Sequence, residues 1–325
     1  MRTCALVTFV VLLALLSGSA RADGLPVEGV DASRSGVTGL SGLTRYVTLP
    51  AGRKTVVAAV NVRGGRVHRS HLVPGTFTIP VVAYDGSASG LSANGRVLVL
   101  IEPRRSFPRG ETTFAILRTK LLRPSAIIAL RGDFSFDALS PDGRWLYLVE
   151  YLSRRDPSRY LVRLYDLKTH RLQPEPIIDP REVGDVMRGM PVTRSYSPDG
   201  RFAYTLYDGA GERPFIHALD TVEKSARCID LHDLMGYQRL GELKLDVSPD
   251  GGTIAVALGD EPIALVDTES SEVTDAPPAV NADALATETE PSSVPWLMVA
   301  GIAAALLIVL LAVQRLVKGG LRRAP

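Results

Sequence analysis

Ser140-Pro141-Asp142-Gly143-Arg144 decides the fold, because the chain repeats it as Ser197-Pro198-Asp199-Gly200-Arg201 and Ser248-Pro249-Asp250-Gly251-Gly252, with Ser92-Ala93-Asn94-Gly95-Arg96 as a weaker copy. The copies start 48, 57 and 51 residues apart, a period at which repeat architectures occur and single hairpins do not. Ser first, Pro second and Gly fourth suit a type I turn followed by a left-handed residue, which closes a hairpin. Asp142, Gly143, Asp199, Gly200, Asp250 and Gly251 are therefore read as structural turn residues.

The flanks agree. Val97 to Ile101, Trp145 to Val149, Phe202 to Tyr207 and Thr253 to Leu258 are near-continuous apolar runs, which predict strands covered on both faces. Before the tips, Leu243, Leu245 and Val247, like Phe134, Phe136 and Ala138, alternate with polar residues and predict half-polar strands. A third strand follows at Tyr160 to Asp166, Phe215 to Asp220 and Ile263 to Asp267, each ending on Asp. Three or four antiparallel strands in each unit of about fifty residues make a propeller blade.

From Leu91 to Asp267 this pattern resembles the WD-like, TolB-type propeller repeat of bacterial extracytoplasmic proteins. The resemblance implies an all-β propeller of about five blades; it says little about activity, since such propellers include scaffolds, sensors and gating domains. Thr44 to Pro80 offers strands at Arg45 to Leu49, Thr55 to Val62 and Val67 to Leu72 without a tip, as either a first blade or the strands that close the ring. The last unit, Gly241 to Thr274, is short and is expected to lack its outer strand.

Residues 1–22 read as a secretory signal with a small-x-small site at Ala20-Arg21-Ala22, and 23–43 as a flexible lead-in. The propeller takes 44–274, and an acidic Ala/Pro/Thr/Ser stalk 275–293. Residues 294–313 carry no charge and match the roughly 20 residues that cross a bilayer. Arg315, Lys318, Arg322 and Arg323 in the tail 314–325 place it in the cytoplasm by the positive-inside rule. The expected protein is single-pass in the cell membrane, with its propeller outside. Cys4 leaves with the signal, so Cys228 has no intramolecular partner in the mature chain and reads as a buried apolar residue.

Overall composition, 46% hydrophobic and 22% charged, allows a large core. Residues 44–259 hold 30 Lys and Arg against 23 Asp and Glu, whereas 260–293 holds nine acids and no base. In the blade pattern that the resemblance implies, the loop after each second strand lies opposite the Ser-Pro-Asp-Gly tips. Two of these are rich in arginine: Arg104, Arg105 and Arg109, and Arg154, Arg155 and Arg159. Adjacent blades would set the six side by side as an anion-binding patch for an envelope protein or an anionic envelope polymer, since guanidinium forks suit carboxylates and phosphates. The rival reading is a solvated rim.

No Gly-x-Ser-x-Gly elbow, His-Glu-x-x-His, Cys-x-x-Cys or phosphate loop occurs, so no cofactor or metal is expected. His68 and His71 fall on opposite faces of a strand. Asp230, His232 and Asp233 read as an ordinary polar turn, and Arg131-Gly132-Asp133 as a chance tripeptide. Nucleic acid is not an expected partner. Two functional classes remain: a non-enzymatic binding or scaffold module, and a small hydrolase or lactonase with its site in the central channel.

Overall fold

A computed structural model describes residues 36–182 and 186–276. Within them the chain forms five successive antiparallel sheets. The first is β1 (Val37–Thr38), β2 (Thr44–Ala51), β3 (Lys54–Asn61) and β4 (Val67–Pro74); the second is β5 (Val97–Ile101), β6 (Glu111–Arg118) and β7 (Arg123–Arg131). The third is β8 (Phe134–Leu139), β9 (Trp145–Tyr151), β10 (Arg159–Asp166) and β11 (Arg171–Ile177), with β12 (Met187–Arg188) added beside β10. The fourth is β13 (Pro191–Tyr196), β14 (Phe202–Tyr207), β15 (Phe215–Asp220) and β16 (Ser225–Asp230); the fifth is β17 (Leu243–Val247), β18 (Thr253–Leu258), β19 (Glu261–Asp267) and β20 (Val273–Asp275).

Apart from β12, strand order follows chain order within each sheet, as in a propeller blade. The segment 44–80 is thus a sheet of its own and does not complete the last one. The expected lead-in is shortened, because Val37 is buried and pairs with Tyr46. The fifth sheet does have its outer strand: β20 is only three residues long and sits where the sequence turns acidic, which hid it. The signal, the stalk from 277 onward, the span and the tail lie outside the described residues. Among the described residues no helix is long and apolar enough to cross a membrane.

Each tip is a cage pivoting on its serine. Ser140 Oγ donates to Asp142 Oδ1 at 2.6 Å and accepts the Trp145 N–H at 2.9 Å, while Asp142 Oδ1 accepts the Arg144 N–H at 3.0 Å. Ser197 with Asp199 and Ser248 with Asp250 repeat the arrangement, and those hydroxyl bonds hold both carboxyls below the usual range. Asn94 serves Ser92 in the same way, so the weaker copy folds like the others. The fifth residue of the phrase clamps the third strand: Arg144 reaches Asp166 at 3.2 Å and Arg201 reaches Asp220 at 2.5 Å.

Glycine is required here twice over at Gly143. Its φ is +75°, and a Cβ would stand 2.6 Å from Val97 Cγ2 of the neighbouring sheet. Gly95, at φ +67°, has open space instead. Gly95→Ala is expected to cost about 1–2 kcal/mol from the left-handed backbone alone, and Gly143→Ala measurably more. Paired urea titrations check this; equal losses would mean that the tips do not pack tightly.

β5, β9 and β14 are buried on both faces over most of their length, as their apolar runs predict, whereas in β18 Thr253, Ala255 and Leu258 are only half-buried. Leu98 and Leu100 of β5 join Val57 and Val73 of the first sheet, while Val99 and Ile101 join Phe134, Phe136 and Leu148 of the third. Tyr147 and Val162 then meet Ala203 and Leu219, and Leu206 and Ile216 meet Leu245 and Val256. None of these buried clusters joins the fifth sheet to the first.

The second sheet lacks a regular first strand. In its place a small hairpin closed by Val81 and Ala88 reaches across to the fourth sheet. There the Tyr84 and Asp85 N–H groups donate to the Pro191 and Val192 carbonyls. The Asp85 carboxylate accepts from Thr193 Oγ1 and from Lys244 Nζ of β17, both at 2.8 Å. Ser89 and Tyr196 share a hydroxyl hydrogen bond of 2.6 Å nearby.

One strand departs from expectation. β8 is buried along its whole length, Ser135 and Asp137 included, instead of being half-polar. Its polar side chains meet buried guanidinium groups: Ser135 takes Arg104, and Asp137 takes Arg194 of β13. β17 keeps the expected alternation over Leu243–Asp246.

Candidate binding face

The two arginine-bearing loops follow β5 and β9 and so lie at the strand ends opposite the tips. The first reaches the end of β9, where the second begins: the Phe107 ring meets the Tyr151 ring edge-on at 5.8 Å, and the Arg104 guanidinium lies 5.0 Å from the Tyr151 centroid. Their six arginines divide into two groups. Arg104 and Arg109 turn inward onto Asp133, at 2.5 and 3.3 Å. Arg104 is 4% exposed, and Arg109 also donates to the carbonyls of Glu102 and Phe134. Burial and then the Arg104 charge pull Arg109 down to about 10, which leaves it charged at neutral pH. These two brace the loops and offer nothing to a ligand from solvent. Arg105, Arg154, Arg155 and Arg159 are exposed.

The Asp133 carboxylate of Arg131-Gly132-Asp133 is buried beneath the two guanidinium groups. The fourth-sheet loop at the same end is self-contained. Asp208 Oδ1 accepts the Met190 and Ala210 N–H groups at 2.8 and 2.9 Å.

Behind the loop that carries Arg154 and Arg155 lies a cavity of about 30 Å³, bounded by Asp137, Tyr151, Pro157, Tyr160, Met190 and Tyr207, among others. Its tyrosines form a chain of ring contacts, Tyr151 to Tyr160 at 6.2 Å and Tyr160 to Tyr207 at 5.7 Å. Arg194 binds both the carbonyl and the Oδ1 of Asp137; burial works to lower it, but the Asp137 carboxylate together with Tyr196 and Tyr207 holds it above its ordinary value. Asp137 Oδ2 is buried without a hydrogen-bond partner among the described residues, whereas the Tyr160 hydroxyl interacts with that of Tyr207. Burial pushes the Tyr160 phenol well up, so it stays protonated.

No family model matches the chain, and no curated protein matches its sequence. Solved structures do. A functionally unknown protein from Desulfotomaculum acetoxidans aligns at 13% identity and TM-score 0.45, over 74% of this chain and 68% of that one. A putative TolB from Agrobacterium tumefaciens gives 13%, 0.41, and 77% and 80%. The Cps50 (Swd1) β-propeller domain of Myceliophteria thermophila gives 10%, 0.41, and 79% and 70%. The likeness is one of fold, and nothing of those proteins' activity transfers with it.

A second hollow, of about 290 Å³, lies over the fourth sheet, with His217, Cys228, Asp179 and Glu182 among its walls. His217 and Cys228 are a cross-strand pair of β15 and β16. Burial holds His217 at about 4, hence neutral, and pushes the Cys228 thiol up, so neither is primed as a base or nucleophile. Cys228 is half-buried, less covered than expected. Asp179 and Arg181 occupy the β16 edge beside it, accepting its N–H and donating to its carbonyl, and so cover a strand edge.

Asp230, His232 and Asp233 form no buried site. His232 is exposed on a short 3-10 turn, 3.9 Å from Asp230 and 3.3 Å from Arg213. His68 and His71 sit three apart on β4, His68 exposed at a bulge between Val67 and Arg69 and His71 half-buried opposite Val57. Among the described residues no group of His, Cys, Asp and Glu is arranged to hold a metal.

Proposed function

We propose that this chain is a membrane-anchored, extracytoplasmic binding module whose loop face takes an anionic partner through Arg105, Arg154, Arg155 and Arg159. The observation that carries this reading is the ring contact between Phe107 and Tyr151. It supports the reading by joining the first arginine-bearing loop to the end of β9, from which the second departs, and Arg105, Arg154, Arg155 and Arg159 are exposed. Arginine forks bind carboxylate or phosphate with two parallel hydrogen bonds, and several on a braced surface act together. The signal and span expected at the two ends supply the address, and the arginines point to an anionic envelope polymer or an acidic envelope protein.

The test is crosslinking and pull-down from native membranes, with Arg105, Arg154, Arg155 and Arg159 all changed to Glu. Arg104 and Arg109 stay, because reversing a buried charge would unfold the loops rather than test binding. A partner or polymer captured by the native chain and lost in the variant is expected. Capture that survives the four reversals, with the variant folded and exported, would overturn the reading.

A further inference from the structure

The hollow over the fourth sheet has a floor that strand register fixes. Phe215 and His217 share one face of β15, and Asp230 and Cys228 lie directly opposite them on β16, each cross-strand pair about 5 Å apart at Cβ. Glu182 stands beside this patch, for burial first and then its carboxylate push the Cys228 thiol up. His217 is 2% exposed, lines the hollow and makes no hydrogen bond among the described residues. Burial keeps it neutral, so its ring holds one nitrogen that accepts and one that donates.

The charges around the hollow favour a cation. Arg188 is paired with Glu212 at 3.4 Å, Arg213 with Asp230 at 3.5 Å, and Asp179 with Arg181 at 2.6 Å. Glu182 has no ion pair among the described residues, which leaves the walls one carboxylate in excess. An anion would meet that excess, and a metal ion lacks a donor group among the described residues. A primary ammonium group has three N–H donors, enough for both a carboxylate and an imidazole nitrogen. Ile178, Met187 and Phe215 offer apolar contact to a chain that carries it. The volume, about 290 Å³, stands at the foot of the range of about 300–1,000 Å³ usual for small-molecule pockets, so it suits one short arm. We propose that this hollow binds a primary ammonium group on a short alkyl arm, with the His217 ring nitrogen and the Glu182 carboxylate accepting from it. The inference does not rest on the arginine-bearing loops, and either reading can fail alone.

The test is calorimetric titration of the full-length chain in detergent with butylammonium and with butyltrimethylammonium, which keeps the charge and has no N–H. The native protein is expected to bind butylammonium about tenfold more tightly, the worth of a hydrogen bond from a charged donor to a buried acceptor. His217→Phe should abolish that advantage, and His217→Gln, whose carbonyl still accepts, should keep it. Glu182→Gln, at an exposed position, should weaken both probes about threefold, as loss of a partly exposed ion pair does. Nα-acetyl-lysine methylamide then separates the sources: binding as tight as that of butylammonium assigns the site to a partner's lysine side chain, and binding tenfold weaker assigns it to a free amine. Equal affinities for the two ammonium probes in the native protein would overturn the inference, as would an advantage that survives a folded His217→Phe variant. So would a Glu182→Gln variant that binds both probes like the native chain, a result that stands even if the His217 variants do not fold. Folded native protein that takes up neither probe would overturn it outright.

Discussion

Asp133→Ala is expected to destabilise the chain by about 3–5 kcal/mol, the cost of removing one partner from a buried ion pair. Two guanidinium groups depend on this carboxylate, Arg104 at 2.5 Å and Arg109 at 3.3 Å, and the side chains of Asp133 and Arg104 are 3% and 2% exposed. Asp133 Oδ2 also accepts the Arg109 N–H at 3.0 Å, so the variant frees the loop backbone as well. Arg154→Ala, a few residues along the adjoining loop but exposed, should stay within about 0.5 kcal/mol of the native protein. Urea midpoints for the two variants decide the matter. A small loss at Asp133 would mean that the loops are held by their aromatic contacts alone.

The second large effect is one of pH. Burial keeps His217 neutral down to about 4, while in the unfolded chain it titrates near its ordinary 6.5. A depressed folded value means that the unfolded state takes up the proton first. The stability linked to His217 is therefore fully present above about pH 6.5 and is lost as pH falls toward 4. At about 1.36 kcal/mol for each unit, the loss over that window is about 3 kcal/mol. His217→Gln, which carries no titrating proton, should flatten the dependence between those two pH values. Denaturant midpoints measured at pH 7.5, 5.5 and 4.5 for both proteins supply the check. Parallel curves would show that other groups set the acid limit.

Much of the fold was legible because turn chemistry and apolar runs are local signals. Ser197-Pro198-Asp199-Gly200 states its own geometry within four residues, and Phe202 to Tyr207 is read as a strand to the residue. What escaped reading depended on pairs far apart in sequence. Arg104 and Asp133 are 29 residues apart, and Asp137 and Arg194 57. Charged loop residues are ordinarily solvated, so nothing local in Arg104-Arg105 tells which of the two turns inward. Asp137 lay in plain view as the polar member of an alternating strand; that alternation means solvent only where the polar face is not covered by another blade. Asp166 and Asp220 end their strands in the sequence, but nothing local to them shows their bonds to the tip arginines. The recurrence of an Asp 22 residues after Arg144 and 19 after Arg201 was the available clue.

The hairpin from Val81 to Ala88 sets how this molecule comes apart. Repeat proteins whose units touch only their neighbours unravel unit by unit, like a row of separable blocks. Here Asp85 is bonded to Thr193, 108 residues away, and to Lys244, 159 away. A chain emerging from synthesis cannot complete the second unit until the fourth and fifth have arrived, and loss of the fifth is felt in the second. Such distant contacts slow folding and join the blades into one cooperative melt, so that a nick in the last sheet loosens the protein far from the cut.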